Sequence, residues 1–259
     1  MGYIESLQGN PNNFSNWFSK IKDSGIAIPD TVIIPATEDV GIACFQESSD
    51  SFGVVLDFVR NTVRPILNEA GLSGESLFIK NGCFSNKFDF NRNCGCLYVP
   101  SDIDIARKLI NINYMSEMYG AMGGCEFVFR KFIGSFGFIE HNVPCIYNGM
   151  PLRPEFRVFY DFNSKEFLYI VNYWDWNYCH ERICDNATDK IIYEAVYPKI
   201  LEEYETRKDE VIKIAKEYLK DVDLNGKWSV DFLYDAESDT YYLIDMATAK
   251  TSAYWKDED

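Results

Sequence analysis

Histidine is nearly absent. His141 and His180 are the only two in the chain, and neither belongs to an HExxH pair, while no GxSxG turn occurs; the common zinc-hydrolase and serine-hydrolase settings are therefore missing. GxxxxGK followed by Ser or Thr is also missing, and no GxGxxG opens a helix, so neither the P-loop nor the dinucleotide-binding turn is available. Hydrophobic runs stay short of the roughly 18 residues that cross a bilayer. The opening MGYIESLQGNPNN has neither a basic start nor an apolar stretch, so the expectation is a cytoplasmic protein with no membrane partner.

Positive charge is scarce as well. Twenty-five Lys and Arg face 40 Asp and Glu, a formal charge of −15. That balance argues against a nucleic-acid partner, because such binding rests on cations that neutralise phosphates. It also repels a nucleoside triphosphate unless local cations and Mg²⁺ offset it, which directs attention to embedded basic residues. Eight cysteines are present, but without an export signal they are expected to be reduced thiols. Cys83, Cys94 and Cys96 lack the two-residue spacing and clustered histidine of a zinc site.

What the chain does have is apolar material: 47% of its 259 residues are hydrophobic, enough for one large core or two modest ones. An amphipathic helix is predicted around FSNWFSKIKDS, followed by extended IAIPDTVIIP and a second helix over SFGVVLDFVRNTVRPILNEAG, kinked at Pro65 and ended by Gly71. From residue 77 strands dominate: LFIKNG, GCLYV, CEFVFRKFIGSFGFIEH, PCIYNGMPLRPEFRVFYDF and EFLYIVNYW, with a helix over SDIDIARKLININYMSEMYG. A charged helix over YETRKDEVIKIAKEYLKD precedes the closing pair of strands. The fold class is α+β.

That closing segment, WSVDFLYDAESDTYYLIDM, reads as a hairpin with one acid on each strand, Asp231 and Asp245. Side chains alternate along a strand, so the two acids share a face if the pairing register is even, for example directly opposite each other. Paired carboxylates suit Mg²⁺, which takes one or two of them and completes its shell with water and phosphate. Lys80 ends the run LFIK beside the loop NGCFSNKFDF, which carries Lys87; Asn81-Gly82 is also an ordinary turn signal that would leave Lys80 on the surface. CEFVFRKFI embeds Arg130 and Lys131 in an apolar strand. PLRPEFRVF sets Arg153, Glu155 and Arg157 on one side, where Arg157 could pair with Glu155 or grip a phosphoryl group. Asp175, within YWDWNY, reads as a surface acid between aromatics.

The order of these pieces resembles the ATP-grasp superfamily from about Ser76 to Trp255, most specifically in KNGCFSNKF, PEFRVF and SVDFLYD…YYLIDM. Within it the chain is similar to the phage and bacterial clade named for one arginine and two lysines. It also resembles the eukaryotic cell-division-cycle proteins that help assemble a translation initiation factor. The resemblance implies two α+β subdomains, about 73–131 and 132–259, enclosing ATP, after a small pre-domain at 1–72. It implies that Lys80 and Lys87 contact the phosphates and that Arg130, Lys131, Phe132 and Ile133 form the adenine hinge. Arg157 would meet the γ-phosphate, with Arg157 and Lys87 as the catalytic pair, and Asp231 and Asp245 would hold Mg²⁺. The implied activity is ligation of a small-molecule, peptide or protein carboxylate to an amine or thiol through an acylphosphate; the alternative is an ATP-binding assembly protein without turnover. Where the superfamily pattern has an acid, any residue, then Asn, this chain reads Asp245-Met246-Ala247, so a third metal ligand is missing, with Thr248 or Ser252 as candidate substitutes. Lys250 and the segment Asn172 to Tyr178 are the candidates for contact with a second substrate.

Overall fold

Runs rich in β-branched and aromatic residues form a first sheet of four strands: β1 (Thr31–Pro35), β2 (Leu77–Asn81), β3 (Gly95–Cys96) and β4 (Glu126–Lys131), in the order β1-β4-β2-β3. The computed structural model describes residues 9–46, 48–96, 98–121, 125–134, 143–183 and 186–256. His141 and most of the expected strand GSFGFIEH lie outside the described residues, and GCLYV contributes only Gly95–Cys96 as strand. The chain divides into two compact units, one drawn from residues 1–16, 29–141 and 147–150, the other from 17–28, 142–146 and 151–259.

Period-two alternation in the first sheet sends Leu77, Ile79, Phe127 and Phe129 to one face, where all four are buried. They pack with residues of α2 (Glu38–Ala43), α3 (Ser49–Phe58), α4 (Arg64–Glu69) and α6 (Asp102–Met118), among them Val40, Val55, Leu67, Ile105, Leu109 and Ile112. Residues 31–72 therefore share one core with the strands beyond them, and the sequence boundary near residue 72 falls inside this unit. The helix α1 (Phe14–Ile21) precedes it, and the short α5 (Phe90–Asn93) lies before β3.

Pro65 follows a change of helix type. The chain opens into a π-helical segment, Val59–Val63, where Arg64 N–H reaches back to Val59 O, and α4 then starts with proline in its first turn. A proline N–H is unneeded at that position. Gly71 ends the element with φ +73, as expected of a helix stop. The start of α6 carries a capping box, with Ser101 Oγ accepting from Asp104 N and the Asp104 carboxylate accepting from Ser101 N.

After the short strands β5 (Cys145–Ile146) and β6 (Met150–Pro151), the second unit forms a sheet of β7 (Glu155–Asp161), β8 (Glu166–Asn172), β9 (Lys227–Asp235) and β10 (Thr240–Thr248), antiparallel in the order β10-β9-β7-β8. The helix α7 (Trp176–Ile183) follows β8, then α8 (Ala187–Tyr218). Of these, α8 is 32 residues long and begins well before the predicted Tyr204, capped by Asn186, whose side chain accepts from Thr188 N and Asp189 N. Pro198 sits inside it and masks the continuity in the sequence. Val211 and Ala215 of α8 and Leu219 just past its end are buried.

Candidate functional site

The closing hairpin folds as β9 and β10, and Asp231 pairs directly with Asp245. An extra residue makes this possible. The ladder shifts by one between Leu243 and Asp245, so the bulge at Ile244 rotates Asp245 onto the face that Asp231 occupies. On the other side of β9, Asp231 pairs with Arg157 of β7. Three adjacent strands thus carry one row of charge across a single sheet face: Arg157, Asp231, Asp245.

Within the row, Arg157 and Asp231 form a two-pronged ion pair. Nε donates to Oδ1 and Nη2 to Oδ2, both at 2.7 Å, with side chains only 12% and 8% exposed. This is the fork-on-carboxylate geometry that gives a charge-assisted bond its direction. The guanidinium lies 4.8 Å from the Tyr173 ring, and Nη1 approaches Ala253 O at 3.4 Å. Burial alone would lower the guanidinium pKa, but the charge and hydrogen bonds of Asp231, with Tyr173 and Glu155 adding, hold it above the ordinary arginine range. Of the two roles the sequence left open for Arg157, a pair with Glu155 or a grip on a phosphoryl group, the first is replaced by the pair with Asp231. Glu155 is a near charge, while the carboxylate Arg157 grips is 74 residues away in sequence. Arg153 is half-buried, and desolvation pulls its pKa down to about 10 despite the opposing charges of Asp235 and Glu155.

Asp245 accepts from Met246 N through Oδ1 at 3.1 Å. Ala247, at the place of the missing Asn, pairs with Ser229. Ser229 Oγ contacts Ser252 Oγ at 2.6 Å and donates to Ala247 O at 3.3 Å, while Thr248 and Thr251 hydroxyls face one another at 3.0 Å. Among the described residues no group of three His, Cys, Asp or Glu gathers to hold a metal. Two facing carboxylates fit a Mg²⁺ that arrives carrying phosphate and water, and do not make a dedicated cage. Asn172 and Tyr173 stand beside the row, since Tyr173 N donates to Glu155 O, and Asp175 accepts from Tyr178 N at the start of α7. Lys250 occupies a single 3-10 turn, Ala249–Thr251, and is exposed.

In the first unit the embedded cations lie on the sheet face away from the core. Phe78 pairs with Arg130 and Lys80 with Val128, so Phe78, Lys80, Val128 and Arg130 share that face. Lys80 is not on the surface: it is 4% exposed, with Nζ 5.4 Å from the Phe14 ring centroid. Arg130 sits 5.7 Å from the Phe14 ring and 5.1 Å from the Phe78 ring. Cation–π attraction of this kind substitutes for part of the lost hydration. Nothing in the sequence pattern flagged Phe14, because its position over the strand comes from tertiary packing.

The loop after Lys80 is held from within. Asn81 Oδ1 accepts from Cys83 N and Phe84 N, and its Nδ2 donates to Asn113 Oδ1 of α6. Gly82 is required by close approach, since a Cβ there would lie 1.9 Å from Asn13 Oδ1. Asn86 adopts φ 46, ψ 49 immediately before Lys87, which opens a short 3-10 turn, Lys87–Asp89. Past Arg130, Lys131 pairs with Glu75 at 3.1 Å on the surface. The N–H groups of Lys131 and Phe132 donate to Asp30 O and Ser76 O. Phe132 packs against Phe90, and Ile133 follows in a turn.

Among the described residues no helix is long and apolar enough to cross a membrane. The six cysteines whose side chains are described are thiols and not disulfides, and burial pushes the Cys44 thiol up to about 12 against the opposing Asn113 hydrogen bond.

No protein-family model and no curated protein matches this chain. Solved structures do. Cdc123 from Schizosaccharomyces pombe aligns over 94% of this chain and 86% of its own, at 15% identity and a TM-score of 0.52. A C-terminally truncated form of the same protein aligns over 95% and 87%, at 14% identity and a TM-score of 0.54. VanG D-Ala:D-Ser ligase from Enterococcus faecalis aligns over 92% of this chain and 52% of its own, at 13% identity and a TM-score of 0.43. The chain has an α+β fold similar to that of Cdc123.

Proposed function

We propose that the chain binds ATP with Mg²⁺ and joins a carboxylate of an amino acid, peptide or protein to an amine or thiol through an acylphosphate. The observation that carries this reading is the row Arg157, Asp231, Asp245, one cation and two acids held side by side on neighbouring strands. Asp231 and Asp245 would hold Mg²⁺, which when bound neutralises phosphate charge as the γ-phosphoryl group moves. Arg157 orients that group with its fork. Lys80 and Lys87 serve as phosphate contacts and Arg130 to Ile133 as the adenine-binding stretch, roles that rest on the ATP-grasp resemblance. In the reaction a substrate carboxylate oxygen attacks the γ-phosphorus, the bond to the β-γ bridging oxygen breaks, and ADP leaves. The amine or thiol then attacks the acyl carbon and expels phosphate.

A second reading, ATP binding without ligation, is favoured by Ala247, which contributes no ligand where a third metal donor is expected. One titration series separates the two. ATP is added with and without Mg²⁺, and ADP release is followed on addition of amino-acid and peptide pools. The ligase reading expects Mg²⁺-dependent binding and pool-dependent ADP release; tight binding with no turnover across the pools supports the second. Absence of Mg²⁺-dependent binding removes both, and binding unchanged in Asp245→Ala removes the metal role.

A further inference from the structure

The geometry points to Arg157 as a built-in counter-ion that keeps divalent metal off the Asp231–Asp245 pair until a nucleotide supplies phosphate. This rests on the Mg²⁺-ATP reading and adds an order of binding to it. Asp231 has both carboxylate oxygens engaged by Nε and Nη2 of Arg157 at 2.7 Å, in a site where both side chains are almost fully enclosed. Of the two facing acids, one is thus already neutralised by a protein cation. A free metal ion would meet an Asp231 whose two oxygens are both already engaged. A hydrated Mg²⁺ gives up water reluctantly, and one carboxylate is a poor exchange for it.

Triphosphate changes both sides of this competition. Two oxygens of its terminal phosphate offer the guanidinium another anionic partner that its fork can grip. They also bring ligands to the metal. Transfer of the guanidinium from Asp231 to phosphate releases both oxygens of Asp231 opposite Asp245, the donor pair Mg²⁺ accepts together with phosphate oxygens. The same arginine therefore excludes the bare ion and admits the ion–nucleotide complex. No bond is made or broken apart from these ionic contacts.

Mn²⁺ serves as a paramagnetic stand-in for Mg²⁺, and the free ion is counted by electron paramagnetic resonance with the intact chain, against a protein-free control at the same nucleotide concentration because nucleotide itself chelates Mn²⁺. The wild-type chain is expected to leave Mn²⁺ free when no nucleotide is present and to take it up beyond that control once a non-hydrolysable ATP analogue is added. Arg157→Gln releases Asp231 and is expected to bind Mn²⁺ without nucleotide at least about tenfold more tightly than wild type, the factor set by 1.4 kcal/mol. Adding Asp245→Asn to that variant abolishes the gain. Arg157→Lys keeps the charge and loses the fork, and is expected to fall between the two. Circular dichroism establishes that each variant is folded; if Arg157→Gln is not, the wild-type comparison with and without the analogue and the Arg157→Lys titration decide alone. Tight wild-type Mn²⁺ binding without nucleotide overturns the inference, as does a folded Arg157→Gln that binds no better than wild type. Failure of the nucleotide reading looks different: Mn²⁺ uptake with the analogue then never exceeds the protein-free control, while the nucleotide-free gain in Arg157→Gln persists.

Discussion

Two arginines, Arg130 in the first unit and Arg157 in the second, are both largely enclosed and both lie beside rings, and one of them is also gripped by a carboxylate. Arg130 lies against the rings of Phe14 and Phe78, whereas Arg157, beside the Tyr173 ring, is clasped by Asp231 as well. An aromatic face is neither protonated nor a ligand for a hard metal ion, so ring contact does not change when such an ion arrives. A carboxylate can be claimed by a metal, so the arginine on it is exchangeable. Within one chain, then, the kind of partner distinguishes a standing cation from one whose engagement depends on what else arrives.

The largest effect comes from breaking the exchangeable pair. Asp231→Ala leaves the Arg157 guanidinium enclosed with its principal counter-ion gone, and removing one member of a buried pair costs about 3–5 kcal/mol. Urea denaturation followed by fluorescence should register that loss, and a change below about 1 kcal/mol would mean that water reaches the pair freely. Gly82→Ala tests the loop beside Lys80. The added Cβ meets Asn13 Oδ1 at 1.9 Å, so the substitution forces a shift worth about 1–3 kcal/mol, measured by the same denaturation. Phe14→Leu keeps an apolar group over Lys80 and Arg130 while removing the ring. The expected cost is about 1–2 kcal/mol, nearly independent of salt between 0.05 and 0.5 M, on the order of the ionic strengths that screen exposed charges. A cost that vanishes at the high-salt end would show that the two cations are exposed.

The smallest effect lies at the α6 cap. Ser101→Ala should lower stability by about 1 kcal/mol at neutral pH. Hydrogen bonding from the Ser101 hydroxyl, with lesser help from its N–H and from Lys108 and Arg107, holds the Asp104 carboxyl below the ordinary Asp value. A depressed carboxyl contributes stability that is present above its unfolded pKa of 3.8 and is lost as pH falls through the folded value. The wild-type advantage over Ser101→Ala should therefore shrink in acid, and denaturation curves at neutral and strongly acidic pH check it; because Asp104 is mostly solvated, the change is a fraction of a kcal/mol.

Much of the second unit's site was legible because it is local. Asp231 and Asp245 sit in period-two strands joined by a short polar turn, and alternation alone brought them to candidate status, while the face they share followed once the register was known. The partner of Arg157 was not legible, since nearby Glu155 offered a local solution and the real one comes from a strand brought alongside by the fold. In the first unit the turn signal at Asn81-Gly82 suggested a surface lysine. Burial of Lys80 follows from Phe14, which lies 66 positions earlier and carries no chemical signature. Beside Pro65 the helix carries a π turn, Val59–Val63, a local widening that the residue pattern does not announce.

The bulge at Ile244 makes the acid pair depend on a count as well as on identity. If Ile244 were kept but the bulge ironed out, the ladder would run on from Leu243–Phe232, setting Ile244 opposite Asp231 and Asp245 opposite Val230, and the second acid would turn to the other side of the sheet with both aspartates still present. Deletion of Ile244, by contrast, leaves Asp245 next after Leu243 and opposite Asp231 in a regular ladder. Spacing from the turn to the second acid is thus inherited information: relatives with both acids at a spacing one shorter keep the pair without a bulge, and those at this spacing need one.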